Sequence, residues 1–115
     1  MAALGKLLRT LEGGLIAFWC PGCDEGHHVN SRWKFNGNAD APTFSPSILV
    51  RNGHFHPEHK NGDPCWCTYN AEHPNEPASF KCQCCHSFVT DGQIQFLGDC
   101  SHALAGKTVP LPEFP

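Results

Sequence analysis

Cysteine–histidine pairs open and close the stretch CHSFVTDGQIQFLGDCSH, residues 85–102. Thiolate and imidazole are the donors that tetrahedral zinc takes, so the two ends read as halves of one metal site. Cys20-Pro21-Gly22-Cys23 supplies a further pair. A C-x-x-C at a strand end, with Pro and Gly inside it, forms a knuckle that offers two sulfurs to an ion. A redox C-x-x-C would need a thioredoxin-like βαβ setting, which the flanking sequence does not provide. The expected core site therefore draws on Cys20, Cys23, Cys85, Cys100 and His102.

The remaining thiols allow a second ion. In one division Cys20, Cys23, Cys85 and Cys100 bind the first, and Cys65, Cys67, Cys82 and Cys84 the second. In the other, Cys20, Cys23, Cys100 and His102 form one site and Cys65, Cys67, Cys82 and Cys85 the other. Spacing alone does not choose between them. His27 and His28 are candidates for groups that orient the ligands from behind. His54, His56, His59 and His73 fall in a polar loop and read as solvated.

Chemistry at the metal ranks second to a structural role, because a site closed by four protein ligands leaves no position for water or substrate. His86 and Asp99 are the weak catalytic candidates, as they share one face of a hairpin. His56-Pro-Glu58 with Pro64-Cys65 superficially matches the H-x-E…P-C-x-x-C pattern of zinc deaminases. The second part here is C-x-C and the gap is too short, so that reading fails.

What must position these residues is mostly β structure. Asp91-Gly92 is a type I′ hairpin signal, since both turn residues need positive φ. It sets Thr90 opposite Gln93, Val89 opposite Ile94 and Ser87 opposite Phe96, and carries Cys85 to Gly98. One face then holds Cys85, Ser87, Val89, Ile94, Phe96, Cys100 and His102; the other holds His86, Phe88, Leu97 and Asp99. Upstream, KLLRTLEGGLIAFWC reads as a hairpin turning at Gly13-Gly14, with its strand Leu15–Trp19 delivering Cys20. Asn36-Gly37 marks another turn. Pro42 and Pro46 then keep the chain extended before a strand over 47–51. Residues 52–79 form a long Pro/Gly/His-rich loop, and loops of that length are functional, disordered or pinned. SHALAG suits one helical turn stopped by Gly106, ahead of an extended tail over 107–115.

Composition sets the outer bounds. One domain spanning 1–115 is expected, with 40% hydrophobic residues and 11 Gly and 10 Pro, a thin core that calls for a staple. No stretch reaches the roughly 18 apolar residues of a membrane span, and the N-terminus lacks the pattern of a secretory signal. A cytoplasmic location follows, where cysteines bind metal more often than they form disulfides. The eight basic residues are scattered against 11 acidic ones, net −3, which argues against a nucleic-acid backbone as partner.

FWCPGC, W-x-FNG, PTFSPSILV and CHSFVTDGQIQFLGDCSHALAG together resemble a family of small proteins of unknown function encoded by tailed phages and prophages. The resemblance covers roughly residues 15–112. It implies a core metal site, since positions matching Cys20, Cys23, His27, Cys85, His86, Cys100 and His102 recur there. Cys65, Cys67 and Cys82 look like a subgroup feature, and Cys84 departs from the pattern. Members often carry the label "ammonia monooxygenase"; a large copper-dependent membrane complex does not fit a chain with thiolate-rich sites and no apolar span.

These observations predict a small, mainly β domain, zinc-ribbon-like, stapled by one or two zinc ions. The expected function is a phage- or prophage-encoded, non-enzymatic module that binds a host or phage protein, with counter-defence as one role. A small metal-dependent hydrolase using His86 and Asp99 is the first alternative, and a nucleic-acid-binding zinc ribbon the second.

Overall fold

Short β-favouring runs separated by glycine and proline give two antiparallel sheets in the computed structural model, which describes residues 2–78 and 80–115. The first sheet is a meander of β1 (Ala2–Leu4), β2 (Leu8–Leu11), β3 (Leu15–Cys20) and β4 (Glu25–Val29). The β2–β3 turn passes through Gly13 and Gly14, both at positive φ, where glycine carries no steric cost. The second sheet has the order β5 (Lys34–Phe35), β6 (Phe44–Asn52), β7 (Gln83–Thr90), β8 (Gln93–Phe96) and β9 (Thr108–Pro110). The small, mostly β class expected from the sequence is the class observed.

The Asp91-Gly92 hairpin has the register its turn dictates, with Ser87 opposite Phe96, Val89 opposite Ile94 and Thr90 opposite Gln93. Both turn residues take positive φ. Side chains along β7 alternate from Cys85 onward. Cys85, Ser87 and Val89 are buried, His86 is half-buried, and Phe88 and Thr90 are exposed. The inward set meets Phe18 and Leu8 of the first sheet and Phe44, Ile48, Ile94 and Phe96 of the second in one core. Phe18 stacks on Phe44 across the sheets at 6.0 Å. Burial of each such side chain contributes about 1.5–3 kcal/mol, so the core is real but small.

Four local expectations change. The ladder between β7 and β8 ends at Phe96, and Leu97 N–H donating to His86 O (2.9 Å) is the last link before the chain turns away. Residues 101–106 form turns rather than a helical turn, closed by Ala105 N–H to His102 O and Lys107 N–H to Leu104 O. The long loop contains a helix, α1 (Trp66–Glu72), whose cap the apolar pattern does not signal. Cys65 N–H donates to Thr68 Oγ1 while the Cys65 sulfur accepts from the Thr68 backbone, a capping box built on a thiol. The tail also does more than extend: Thr108–Pro110 adds a strand to β8.

Among the described residues, no helix is long and apolar enough to cross a membrane.

Candidate active site

Three polar side chains converge on the outer face of the second sheet. Leu49 of β6 lies directly opposite His86 of β7, which places Ser47, two residues earlier, diagonal to His86. The β6–β7 register slips between Phe44 and Ile48, an irregularity of the kind that re-aims a side chain. Ser47 Oγ lies 3.1 Å from His86 Nε2. On the other side of the ring, His86 Nδ1 lies 3.2 Å from Asp99 Oδ2. One tautomer satisfies both contacts, with Nδ1–H donating to the carboxylate and Nε2 accepting from the hydroxyl. The order is hydroxyl, imidazole, carboxylate, with the imidazole in the middle.

The backbone holds each member in place. Trp33 Nε1–H donates to Ser47 O (3.3 Å). The His86 N–H donates to Cys100 Sγ (3.2 Å), and Cys100 S–H donates to His86 O (3.3 Å). Cys100 thus ties the strand carrying His86 to the turn carrying Asp99. The group is open to solvent: Ser47 is half-buried, and the side chains of His86 and Asp99 are 26% and 55% exposed. Leu49 and Phe88, both exposed, flank it, with the Phe88 ring stacked toward His86 at 6.4 Å.

Beneath this face lies a buried cluster of Cys20, Cys23, Cys85 and His102, all donor atoms within 4.8 Å of one another. Cys20 ends β3, Cys23 follows it in the knuckle, Cys85 comes from β7, and His102 from the turns after β8. The Cys20 and Cys85 sulfurs are 3.8 Å apart. That matches an edge of a tetrahedron with Zn–S bonds near 2.3 Å, which is about 3.8 Å. His102 Nε2 is buried without a hydrogen-bond partner, and its ring lies so close to Gly22 that a Cβ there would collide with it. Cys23 N–H donates to Cys20 Sγ (3.4 Å) and Gln83 Nε2 donates to Cys23 Sγ (3.5 Å). Packed together, the three thiols cannot all ionise without a cation. The hydrogen bonds from Cys23 and Cys85 hold Cys20 far below the ordinary thiol range, while hydrogen bonding to the Cys20 thiolate pushes Cys23 up to about 12 and raises Cys85 as well. The donor set suits a metal ion.

A second cluster gathers His54, Cys65, Cys67 and Cys82 at the base of the long loop.

Several sequence expectations are redistributed. Cys20, Cys23, Cys85 and His102 come together, whereas Cys100, expected with them, lies outside the cluster because the ladder ends at Phe96 and the chain turns. Cys84 joins neither cluster. It is buried, and its backbone is tied to Ser101, with Cys84 N–H donating to Ser101 Oγ (3.0 Å). Burial, then the nearby Asp99 and Cys100, push its thiol pKa up, opposite to what a ligand needs. His27 is buried beside Phe18, with Cys23 and Glu25 in ligand range of it, but His28 points outward and is exposed. His86 and Asp99 do meet, at 3.2 Å, and Ser47 adjoins them. Ser47 is not among the expected site residues, and His54, expected to be solvated, is exposed yet lies with three cysteines. The signal for Ser47 was Pro46 within a strand, since proline there marks a bulge, and bulges gather at active sites.

Residues 3–97 match the model of a family described as bacterial ubiquitination-like system serine protease (BubE). No curated protein and no solved structure matches the chain.

Proposed function

Since the chain belongs to the BubE family of bacterial ubiquitination-like system serine proteases, we propose that it is a serine protease whose triad is Ser47, His86 and Asp99. The expectation of a phage-encoded, non-enzymatic interaction module is overturned by that membership, which covers residues 3–97. The single observation that carries the reading is the relay of 3.1 Å and 3.2 Å contacts through His86. Such a triad is recognised by geometry and roles, not by position in the chain.

Each residue has one task. His86 Nε2 takes the Ser47 Oγ proton as the oxygen bonds to the scissile carbonyl carbon. The same proton passes to the leaving nitrogen as the C–N bond breaks, leaving an acyl ester on Ser47. Water, deprotonated by His86, then attacks the ester and frees the acid. Asp99 accepts the Nδ1–H throughout, fixing the tautomer and stabilising the imidazolium.

The substrate is a protein of the ubiquitination-like system that the family description names. An open site on a sheet face suits a macromolecule better than an enclosed small molecule. The His86 backbone N–H and C=O are both taken by the β8 side, so the Leu49–His86 pair is a non-bonded one and the Leu49 backbone groups face the free side of β6. β5 covers β6 only at Phe44 and Ser45. An extended substrate segment can pair there, beside Ser47, with Leu49 and Phe88 receiving apolar side chains.

The buried cluster holds zinc in this reading, as a structural ion supplying no chemistry to the reaction. Cys85 precedes His86, and His102 follows Asp99 by three residues, so the ion would brace both segments that carry the base and the acid.

Asp99→Asn tests the relay. The asparagine leaves the site intact but favours the wrong imidazole tautomer, so kcat is expected to fall roughly 10²- to 10⁴-fold, with KM for an activated ester or peptide little changed. Unchanged kcat in this variant would remove Asp99 from the triad.

A further inference from the structure

We propose that a second zinc ion, bound by His54, Cys65, Cys67 and Cys82, folds the loop that connects β6 to β7. This inference does not depend on the triad, and its ligand set differs from every division the thiol spacing suggested, with His54 in place of Cys84 or Cys85.

Four donor atoms lie within 4.8 Å of one another although they come from three separate places in the chain. His54 sits in the one-turn 3-10 helix just after β6, Cys65 and Cys67 at the start of α1, and Cys82 just before β7. The Cys67 and Cys65 sulfurs lie 3.7 and 3.9 Å from His54 Nδ1. Those separations are close to the edge of a tetrahedral sphere with Zn–S near 2.3 Å and Zn–N near 2.0 Å, which is about 3.5 Å. The His54 N–H also donates to Cys82 Sγ (3.5 Å), a contact that steadies a thiolate. Gly53, at positive φ, packs so closely on Cys82 that a Cβ would collide with it. The backbone approaches that sulfur as closely as glycine permits.

An independent observation says that something must hold this segment. No described residue from 53 to 81 is buried, so the loop has no core of its own. Yet it contains a seven-residue helix, and isolated helices that short are unstable in water. The aromatic cluster of Trp66, Tyr69 and Phe80 is itself exposed. A cross-link joining the loop's beginning, middle and end would supply what packing does not. The cluster lies beyond the C-terminal end of β6, and that end, Asn52, is itself five residues from Ser47, about 17 Å along a strand. It is a structural site remote from the reacting atoms.

Zinc-loaded full-length protein tests the proposal by elemental analysis and by alkylation read with mass spectrometry. Wild type is expected to carry two zinc ions per chain, Cys67→Ser one, and Cys84→Ser two. Cys67 is exposed, so only an ion would shield it. In zinc-loaded wild type it is expected to resist iodoacetamide, and after chelation to react. This second readout needs no variant and does not depend on how the substituted chain folds. One zinc in wild type with Cys67 freely alkylated would overturn the proposal. So would two zincs retained by Cys67→Ser, or a drop to one in Cys84→Ser. A native mass two hydrogens light, with a disulfide among Cys65, Cys67 and Cys82, would overturn it as well.

Discussion

Ser47→Ala is expected to abolish peptide and ester hydrolysis, with a fall in kcat of roughly 10⁴- to 10⁶-fold, while the protein stays folded. Ser47 is half-buried on an outer sheet face, so losing its hydroxyl opens no core cavity. The thermal midpoint should move by little, because surface substitutions of this kind change stability by about 0.5 kcal/mol or less. His86→Ala should cost a similar factor, and the double variant little more than either alone, since the two groups act as a unit. Steady-state rates with an activated ester, beside circular dichroism of each variant, check this. Retained hydrolysis in a folded Ser47→Ala protein would exclude Ser47 as nucleophile.

Removal of the core ion is expected to unfold the chain. A structural zinc contributes on the order of 10–16 kcal/mol in a small domain, at least as much as the 5–15 kcal/mol of net stability that domains typically have. Cys20 and Cys85 are almost fully buried and come from different sheets. Cys20→Ser or Cys85→Ala should therefore yield aggregated or largely unfolded protein. Cys100→Ala should keep the ion, since Cys100 lies outside the cluster, and should lose activity through a loosened His86–Asp99 contact. Strong chelators should also stop hydrolysis, by unfolding the chain. Metal content and unfolding midpoints for the three variants separate these roles. A chain that keeps its cooperative unfolding after complete metal removal would contradict the structural role assigned to the ion.

The β hairpin at Asp91-Gly92 was legible because turn chemistry and two-residue alternation both pointed to one register. The gathering of Cys20, Cys23, Cys85 and His102 was partly legible, since C-x-x-C knuckles and strand alternation constrain where sulfurs point. Cys100 was misassigned because alternation was carried past Phe96, where the ladder stops; two residues of lost register are enough to move a side chain to another environment. His86 and Asp99 were correctly set on one face, but Ser47, which adjoins them, comes from a strand 39 residues earlier. Its position depends on the β6–β7 register and a local slip, neither of which a single strand encodes. His54 was unreadable for a related reason. It lies in a polar loop without periodicity, and only folding brings it to cysteines 11, 13 and 28 residues away.

The most direct test of the central claim is covalent labelling of the wild-type protein with a fluorophosphonate, followed by tryptic mass spectrometry. Ser47 Oγ, activated by His86, should displace fluoride and carry the phosphonyl group at one adduct per chain. Labelling should vanish in His86→Ala, and proceed at a reduced rate in Asp99→Asn. A zinc-loaded, folded protein that takes no label, or takes it on a serine other than Ser47, would contradict the assignment of this triad.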